Sequence, residues 1–175
     1  LQREARERGE DHPLDEIAIL VRASFQMREF EDRFIQLGLP YRVIGGPRFY
    51  ERAEIKDAVA YLQVIDNTDD AVSLMRIANR PRRGIGDASV ARLRAWAEAH
   101  GESLFTSLGH PEDAGLGPVQ ARAVHQLQTL LQSLQSAAQE LSVHELVEAV
   151  LERSGYLEIL EAERTIESRG RVENL

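Results

Sequence analysis

The spacing of apolar residues predicts a series of helices beyond residue 52. Apolar side chains recur there every three or four positions, and glycine, proline or clusters of polar residues separate the periodic segments. Pro118 opens a long segment, and Ser142 stands three residues before Glu145, which is the spacing of a capping box. The predicted helices span 53–65, 71–78, 88–99, 103–108, 118–140, 142–153, 156–163 and a last segment that follows Thr165.

The apolar stripes of these helices also predict which side chains form the core. The stripe of the first helix consists of Ile55, Val59, Leu62 and Ile65. The stripe of the third consists of Val90, Leu93, Trp96 and Ala97. Because Trp96 lies on a stripe, we expect it in the core rather than stacked on a nucleic-acid base.

A different pattern covers the first part of the chain. Residues 16–21 and 41–44 are short, mainly apolar runs with β-branched members, and 25–36 between them has helical spacing. Short runs of this kind indicate strands that are buried on both faces. The order predicts a parallel βαβ unit with a right-handed crossover. Because two strands alone do not form a stable sheet, we expect the other strands elsewhere and the chain to be part of a larger protein.

The helical pattern is interrupted most sharply at 80–89, where a run rich in arginine leads into Gly84 and Gly86. Glycines permit positive φ and a close approach of a ligand, and Asp87 is expected to cap the next helix. Amides at a helix N-terminus favour an anion such as a phosphate. Residues 76–94 contain six arginines and one acid. Two interpretations stay open, a contact with the DNA backbone and an ordinary helix–helix turn with solvated arginines, because short glycine motifs do not separate them.

Composition removes several classes of chemistry. The chain has no cysteine, which excludes disulfides, thiolate metal sites and cysteine nucleophiles. Its five histidines lack metal-ligand spacing, and it contains no phosphate-binding P-loop motif. We therefore predict no catalytic residue, no metal site and no cofactor bound by this chain itself.

Charge and hydropathy bear on location and partners. The net charge of −8 argues against a general nucleic-acid coat protein and leaves one basic segment in an acidic chain. No apolar run has the length of a membrane span, and no signal-like segment opens the sequence. We expect a cytoplasmic location and no membrane partner.

Four segments resemble the UvrD/PcrA/Rep group of superfamily 1 DNA helicases. The strand–helix segment of the family's second RecA-like subdomain, called 2A, is similar to EIAILVRAS and QMREFEDRF. The passage from 2A into the inserted 2B subdomain resembles YRVIGGPRFYERAEIKDAVAYLQVI. The 2B turn known as the GIG motif resembles RIANRPRRGIGDASVARL, and a further 2B segment resembles SGYLEILEAERTIESRGRVENL. The resemblance implies a mostly α-helical chain, with 1–52 as a partial RecA-like βαβ piece and 53–175 as a helical 2B-like subdomain.

The resemblance also implies an activity for the complete protein. Members of the group are ATP-dependent motors that move 3′-to-5′ on single-stranded DNA, with ATP and Mg²⁺ between two RecA-like domains. The 2B subdomain contacts the duplex ahead. The ATP-binding loop, the Mg²⁺-binding acids and the arginine fingers have no counterpart here, so we expect no ATPase activity from this chain alone. The implied partners are DNA at a single-strand–duplex junction, the missing parts of the helicase, and repair or transcription proteins.

Candidate DNA contacts follow residue by residue from the resemblance. The GIG turn and its neighbours assign duplex-backbone contacts to Arg82, Arg83, Gly84, Ile85, Gly86 and Ser89. The single-strand track assigns contacts to Arg22, Ser24, Phe25 and Arg48. Relatives often carry Thr-Asn-Ala at 23–25, so the polar contacts of that Thr-Asn pair are not expected here. Phe25 could stack on a base or be an ordinary apolar residue at a helix start.

Two functions of other classes remain open. The acidic helical surface of 101–175 could dock repair or transcription proteins without touching DNA. The chain could also be a self-standing helix-hairpin DNA-binding protein, which the incomplete βαβ unit disfavours.

Overall fold

Two compact units make up the chain, residues 1–46 and 47–175. The computed structural model describes residues 13–22, 26–44 and 49–175. Within this described part, no helix is both long enough and apolar enough to cross a lipid bilayer.

The described part of the first unit contains one α-helix, α1 (Met27–Gln36), after a short 3-10 turn at Leu14–Glu16. Phe34 of α1 packs against Phe30 and Tyr41, with ring centroids 6.4 and 5.5 Å apart. The predicted helix is therefore present. Its first predicted residue, Phe25, lies outside the described residues.

The two strands predicted for this unit are not seen among its described residues. Residues 17–21 and 41–44 have no regular secondary structure, so the βαβ expectation holds only for its helix. Two of their apolar side chains lie almost fully in solvent, with Leu20 95% and Ile44 87% exposed. The physical reason is that two short strands neither pair all their backbone groups nor bury their faces without further strands.

The described part of the second unit is helical, as predicted. Its helices are α2 (Ala53–Asp66), α3 (Ala71–Ile77), α4 (Asp87–His100), α5 (Leu104–Ser107), α6 (Pro118–Ala137), α7 (Val143–Arg153), α8 (Tyr156–Glu163) and α9 (Ile166–Asn174), preceded by a 3-10 turn at Phe49–Glu51. The observed ends lie within three residues of the predicted ones. Periodicity and cap residues together fix these helices well.

Side-chain caps begin several of these helices, among them the predicted capping box. Asp70 accepts a hydrogen bond from the amide of Ser73, which lowers the pKa of the Asp70 carboxyl. Ser142 and Glu145 form a complete capping box, and their hydrogen bonds lower the pKa of Glu145. Thr165 caps α9. The prediction for Asp87 was wrong, because Gly86 is the N-cap of α4 and Asp87 is its first residue.

The core of the second unit is centred on α6. This helix buries one face completely, through Val124, Leu127, Leu131 and Leu134. Helix α2 contacts α3, α6, α7 and α9, so the core extends around it on several sides. This explains why its predicted stripe was only partly right: Val59 is 39% exposed, whereas Tyr61 and Val64 are buried.

Trp96 also departs from its predicted place. It is only half-buried, and its indole stacks between the rings of His100 and His110, at centroid distances of 4.2 and 4.5 Å. Leu93 and Ala97 on the same helix are buried as expected. Aromatic stacking with two imidazoles thus replaces core packing for Trp96.

Candidate nucleic-acid interface

The arginine- and glycine-rich turn joins α3 to α4, and we call residues 79–86 the basic turn. The side chain of Asn79 holds its backbone, because Asn79 Oδ1 accepts hydrogen bonds from the amides of Arg83 and Gly84 at 2.8 and 3.1 Å. Gly84 has φ +83°, in the left-handed region, whereas Gly86 has φ −80°. The N–H groups of Arg83 and Gly84 are therefore already engaged within the turn.

The side chain of Arg83 points into the protein. Its Nη1 donates to the carbonyls of Ile77 and Pro81 at 3.3 and 3.0 Å. Its Nη2 donates to Tyr61 Oη at 2.6 Å and to the carbonyl of Ser154 at 3.3 Å. Arg83 thereby connects the end of α3, the basic turn, α2 and the end of α7.

Tyr61 is the second residue that holds the basic turn. Its hydroxyl donates to the carbonyl of Arg80 at 2.7 Å and accepts from Arg83. The side chain is 1% exposed. Burial raises the pKa of Tyr61, although the nearby Arg83 charge opposes that shift. The phenol is therefore neutral and available as a donor near neutral pH.

Asp57 contacts three side chains near the turn, those of Arg76, Arg80 and Tyr156. Its buried carboxylate lies 3.5 Å from Arg80 Nη1 and accepts a hydrogen bond of 2.8 Å from the hydroxyl of Tyr156. Arg76 Nε lies 2.7 Å from Asp57 Oδ1, close enough for an ion pair, although its N–H does not point at the oxygen as a hydrogen bond requires. Arg76 and Arg80 are consequently committed to a buried acid.

The six predicted duplex contacts fall into two groups. Arg82, Gly84 and Gly86 are exposed and form the outer edge of the basic turn. Ile85 is 1% exposed and Ser89 7%, so both side chains lie inside, as does the engaged guanidinium of Arg83. The motif therefore contributes as many structural residues as accessible ones.

Five of the six arginines of 76–94 already have a partner within the protein. Arg92 donates to the carbonyl of Gly115, and Arg94 pairs with Glu98 at 2.9 Å on the surface of α4. Together with the partners of Arg76, Arg80 and Arg83, these contacts leave Arg82 as the arginine of this segment without a partner among the described residues.

The predicted single-strand contacts belong to the other part of the chain. Arg22 is exposed, and its amide donates to Gln26 Oε1 at 3.1 Å. Ser24, Phe25 and Arg48 lie outside the described residues.

Several residues that shape the turn were not identified from sequence. Tyr61, Asn79, Asp57 and Ser154 lie within the segments that resemble the helicase group but were not among the candidate contacts, and Ser154 is 71 residues from Arg83 along the chain. Asn79 alone gave a signal that could have been used, because an asparagine at the end of a helix often bonds nearby backbone amides.

Two other features bear on ligands. Among the described residues, no group of three or more His, Asp or Glu side chains could hold a metal ion. An open groove of about 710 Å³ runs along α6 and is lined by Glu112, Leu116, Pro118, Arg122, His125, Gln126 and Thr129.

Comparison with known proteins identifies the family. A family model described as the UvrD-like helicase C-terminal domain matches residues 2–106. The proteins named "ATP-dependent DNA helicase PcrA" from Staphylococcus aureus and Staphylococcus epidermidis are 41% and 40% identical to this chain over 160 residues. These alignments cover 91% of this chain and 22% of each relative, so the chain spans about a fifth of the relatives' length. The chain therefore belongs to the UvrD-like helicase C-terminal domain family, as its resemblance to the UvrD/PcrA/Rep group predicted.

Proposed function

We propose that this chain is a segment of an ATP-dependent DNA helicase that moves 3′-to-5′, and that it contacts duplex DNA and helps to regulate the motor. In this proposal residues 1–52 are part of the RecA-like subdomain 2A, and 53–175 are a 2B subdomain. The support is the family match, together with the printed name of the relatives, ATP-dependent DNA helicase. The proposal places the protein in the cytoplasm, with DNA as its main partner.

The observation that carries the duplex contact is the exposed edge of the basic turn. Arg82 is exposed at this edge without a partner among the described residues, and the backbones of Gly84 and of the α4 N-cap Gly86 are exposed there as well. An exposed guanidinium suits a phosphate oxygen, and such contacts position DNA without reading its sequence. The acid Asp87 beside this edge limits the affinity, so we expect weak, salt-sensitive binding.

The first unit supports the proposal in a different way. Leu20 and Ile44 are large apolar side chains that lie almost fully in solvent. Residues of this type are normally buried in parallel sheets, so we propose that 16–21 and 41–44 form strands when the rest of a RecA-like sheet is present. Arg22, Ser24, Phe25 and Arg48 are the proposed single-strand contacts of that subdomain.

ATP and Mg²⁺ belong, in this proposal, to other parts of the complete helicase. The sequence contains no P-loop motif that could hold the phosphates of ATP. We expect the purified chain to hydrolyse no ATP, with or without DNA. DNA-stimulated release of phosphate by the chain alone would contradict this part of the proposal.

The duplex contact is tested by a salt titration of binding to a fluorescent duplex with a 3′ single-stranded tail. Each phosphate contact contributes about 0.9 to the slope of log K against log salt, so Arg82→Gln should lower the slope by about that amount. Arg94→Gln is the matched control, because Arg94 is exposed but paired with Glu98, and its slope should stay unchanged. Identical curves for the wild type and Arg82→Gln would refute the contact.

A second candidate function is docking of repair or transcription proteins. The groove along α6 favours it, because this concave surface combines apolar walls at Leu116 and Pro118 with the polar groups of Arg122 and Gln126. If the salt titration detects no duplex binding, this candidate replaces the first.

A further inference from the structure

We propose that Arg83 is a positioning residue that does not touch DNA. It holds the exposed edge of the basic turn in place and ties that edge to the α7–α8 junction at Ser154. The inference deepens the proposed function and rests on it, because the edge that Arg83 holds is the proposed duplex contact.

Arg83 has few donors left for a ligand. A guanidinium carries five N–H donors, of which four are on the two terminal nitrogens. Each terminal nitrogen of Arg83 already donates to two acceptors, through Nη1 to Ile77 and Pro81 and through Nη2 to Tyr61 and Ser154. A bidentate contact with a phosphate would have to break at least one of these hydrogen bonds, which makes Arg83 a poor DNA ligand.

The contacts of Arg83 and its neighbours also fix the edge where Arg82 and Gly84 lie. Tyr61 donates to the carbonyl of Arg80, and Arg83 donates to the carbonyl of Pro81. Asn79 accepts from the amides of Arg83 and Gly84. The backbone on both sides of Arg82 is thus fixed before any ligand arrives. Preorganisation of this kind improves affinity because less freedom is lost on binding.

Arg83 also connects the basic turn to the α7–α8 junction. The carbonyl of Ser154, at the C-cap of α7, accepts from Arg83. Two residues later, Tyr156 donates to Asp57, which also lies 3.5 Å from Arg80. The junction therefore reaches the basic turn along two routes, through Arg83 and through Asp57 with Arg80. A displacement of the junction would shift the edge that faces DNA.

The test compares Arg83→Gln, Arg83→Lys and Tyr61→Phe with the wild type in the salt titration described above. Lysine keeps the charge but loses the planar fork, and phenylalanine removes only the hydroxyl. For a positioning role, all three variants should weaken duplex binding about fivefold with an unchanged salt slope. If Arg83→Gln lowers the slope by about 0.9 while Arg83→Lys keeps it, Arg83 contacts a phosphate and the inference is wrong.

A double-mutant cycle separates positioning from a general loss of stability. In the Arg83→Lys background, Arg82→Gln should have less effect on duplex affinity than in the wild type, because the edge is no longer held. Purely additive effects would overturn the inference. Tyr61→Phe provides the same cycle if Arg83→Lys does not fold.

Amide hydrogen exchange tests, without DNA, whether Tyr61 and Arg83 hold the backbone of the basic turn. Tyr61→Phe should speed exchange at the amides of Arg83 and Gly84 and leave that of α6 unchanged. Unchanged exchange at both amides would overturn the claim that Tyr61 and Arg83 hold the basic turn, even if the protein binds DNA. Failure of the proposed function would give a different result, because the wild type would then bind no duplex. The exchange measurement would still show whether these hydrogen bonds hold the basic turn.

Discussion

Gly84 is the residue of the basic turn whose backbone conformation most requires glycine. Its φ of +83° lies in the left-handed region, and a Cβ built there would meet no heavy atom within 4 Å. The cost of a side chain at this position is therefore backbone strain alone. Gly86 has φ −80° and equally open surroundings, so any residue can adopt its conformation.

A matched pair of substitutions tests this difference. Gly84→Ser should lower the free energy of unfolding by about 1–2 kcal/mol, which is the cost of a left-handed residue with a Cβ. Gly86→Ser should change it by less than about 0.5 kcal/mol, because serine is a good N-cap in the extended conformation found there. Urea denaturation of both variants measures the two values. Equal losses would contradict the assignment of the strain to Gly84.

At the residue scale, the sequence located the turn but did not separate its members. Two glycines two positions apart look equivalent until φ is known, and only Gly84 needs its glycine. Adjacent arginines look equivalent too, yet Arg82 is exposed and Arg83 is bound to four acceptors. The difference comes from Tyr61 and Ser154, which are 22 and 71 residues from Arg83 along the chain, so their contact with Arg83 could not be inferred from neighbouring residues.

Helices were predicted better than strands, because a helix depends on residues that are close together in the sequence. Helices α2 to α9 follow from periodicity and caps, which are properties of neighbouring residues. A strand needs partners, so 16–21 and 41–44 could not be settled by their own composition. The buried face of α2 was partly mistaken for a similar reason, because it depends on the four helices that contact it.

Helix α9 offers a prediction at this scale, because Gly170 stands in its interior. A Cβ at Gly170 would meet no heavy atom within 4 Å, and its φ is not positive. Gly170→Ala should therefore raise the free energy of unfolding by about 0.5–1 kcal/mol, since alanine loses less backbone entropy in a helix. Thermal or urea denaturation measures the change.

The control for this prediction is Gly101, which ends α4 at φ +68°. Gly101→Ala should lower stability, because alanine is strained in that conformation. A loss of stability in Gly170→Ala would mean that α9 is not a regular helix around this residue.

At the scale of the second unit, polar contacts tie the ends of the chain's helical part together. Asn174 in α9 accepts from Arg52 and donates to Glu54 at 2.7 Å, and all three side chains are buried. Tyr156 adds a contact with Asp57 across 99 residues. Replacing one partner of such a buried contact leaves the polar group of the other without a hydrogen bond, so these positions should tolerate substitution poorly.

Tyr156 makes this testable through pH. Burial and the neighbouring Asp57 carboxylate raise the pKa of Tyr156, so the folded state keeps the phenolic proton longer than the unfolded chain. Below about pH 10, the unfolded tyrosine is also protonated and the contribution of Tyr156 to stability is complete. Above that pH the unfolded chain loses the proton first, and stability falls as the pH rises through the raised pKa of the folded state.

The prediction concerns the difference in unfolding free energy between the wild type and Tyr156→Phe. At pH 8 the wild type should be more stable by about 1.5–3 kcal/mol, the range for a hydrogen bond to a charged group. Between pH 9 and pH 11 the advantage should shrink by about 1 kcal/mol, less than the full pKa shift implies, because Tyr156 is half-buried and solvent screens its surroundings. Urea denaturation at the three pH values measures it. A difference that stays constant from pH 9 to pH 11 would mean that the folded and unfolded states bind the Tyr156 proton equally. In that case the hydroxyl does not donate to Asp57, and the route from the α7–α8 junction to the basic turn through Arg80 is lost.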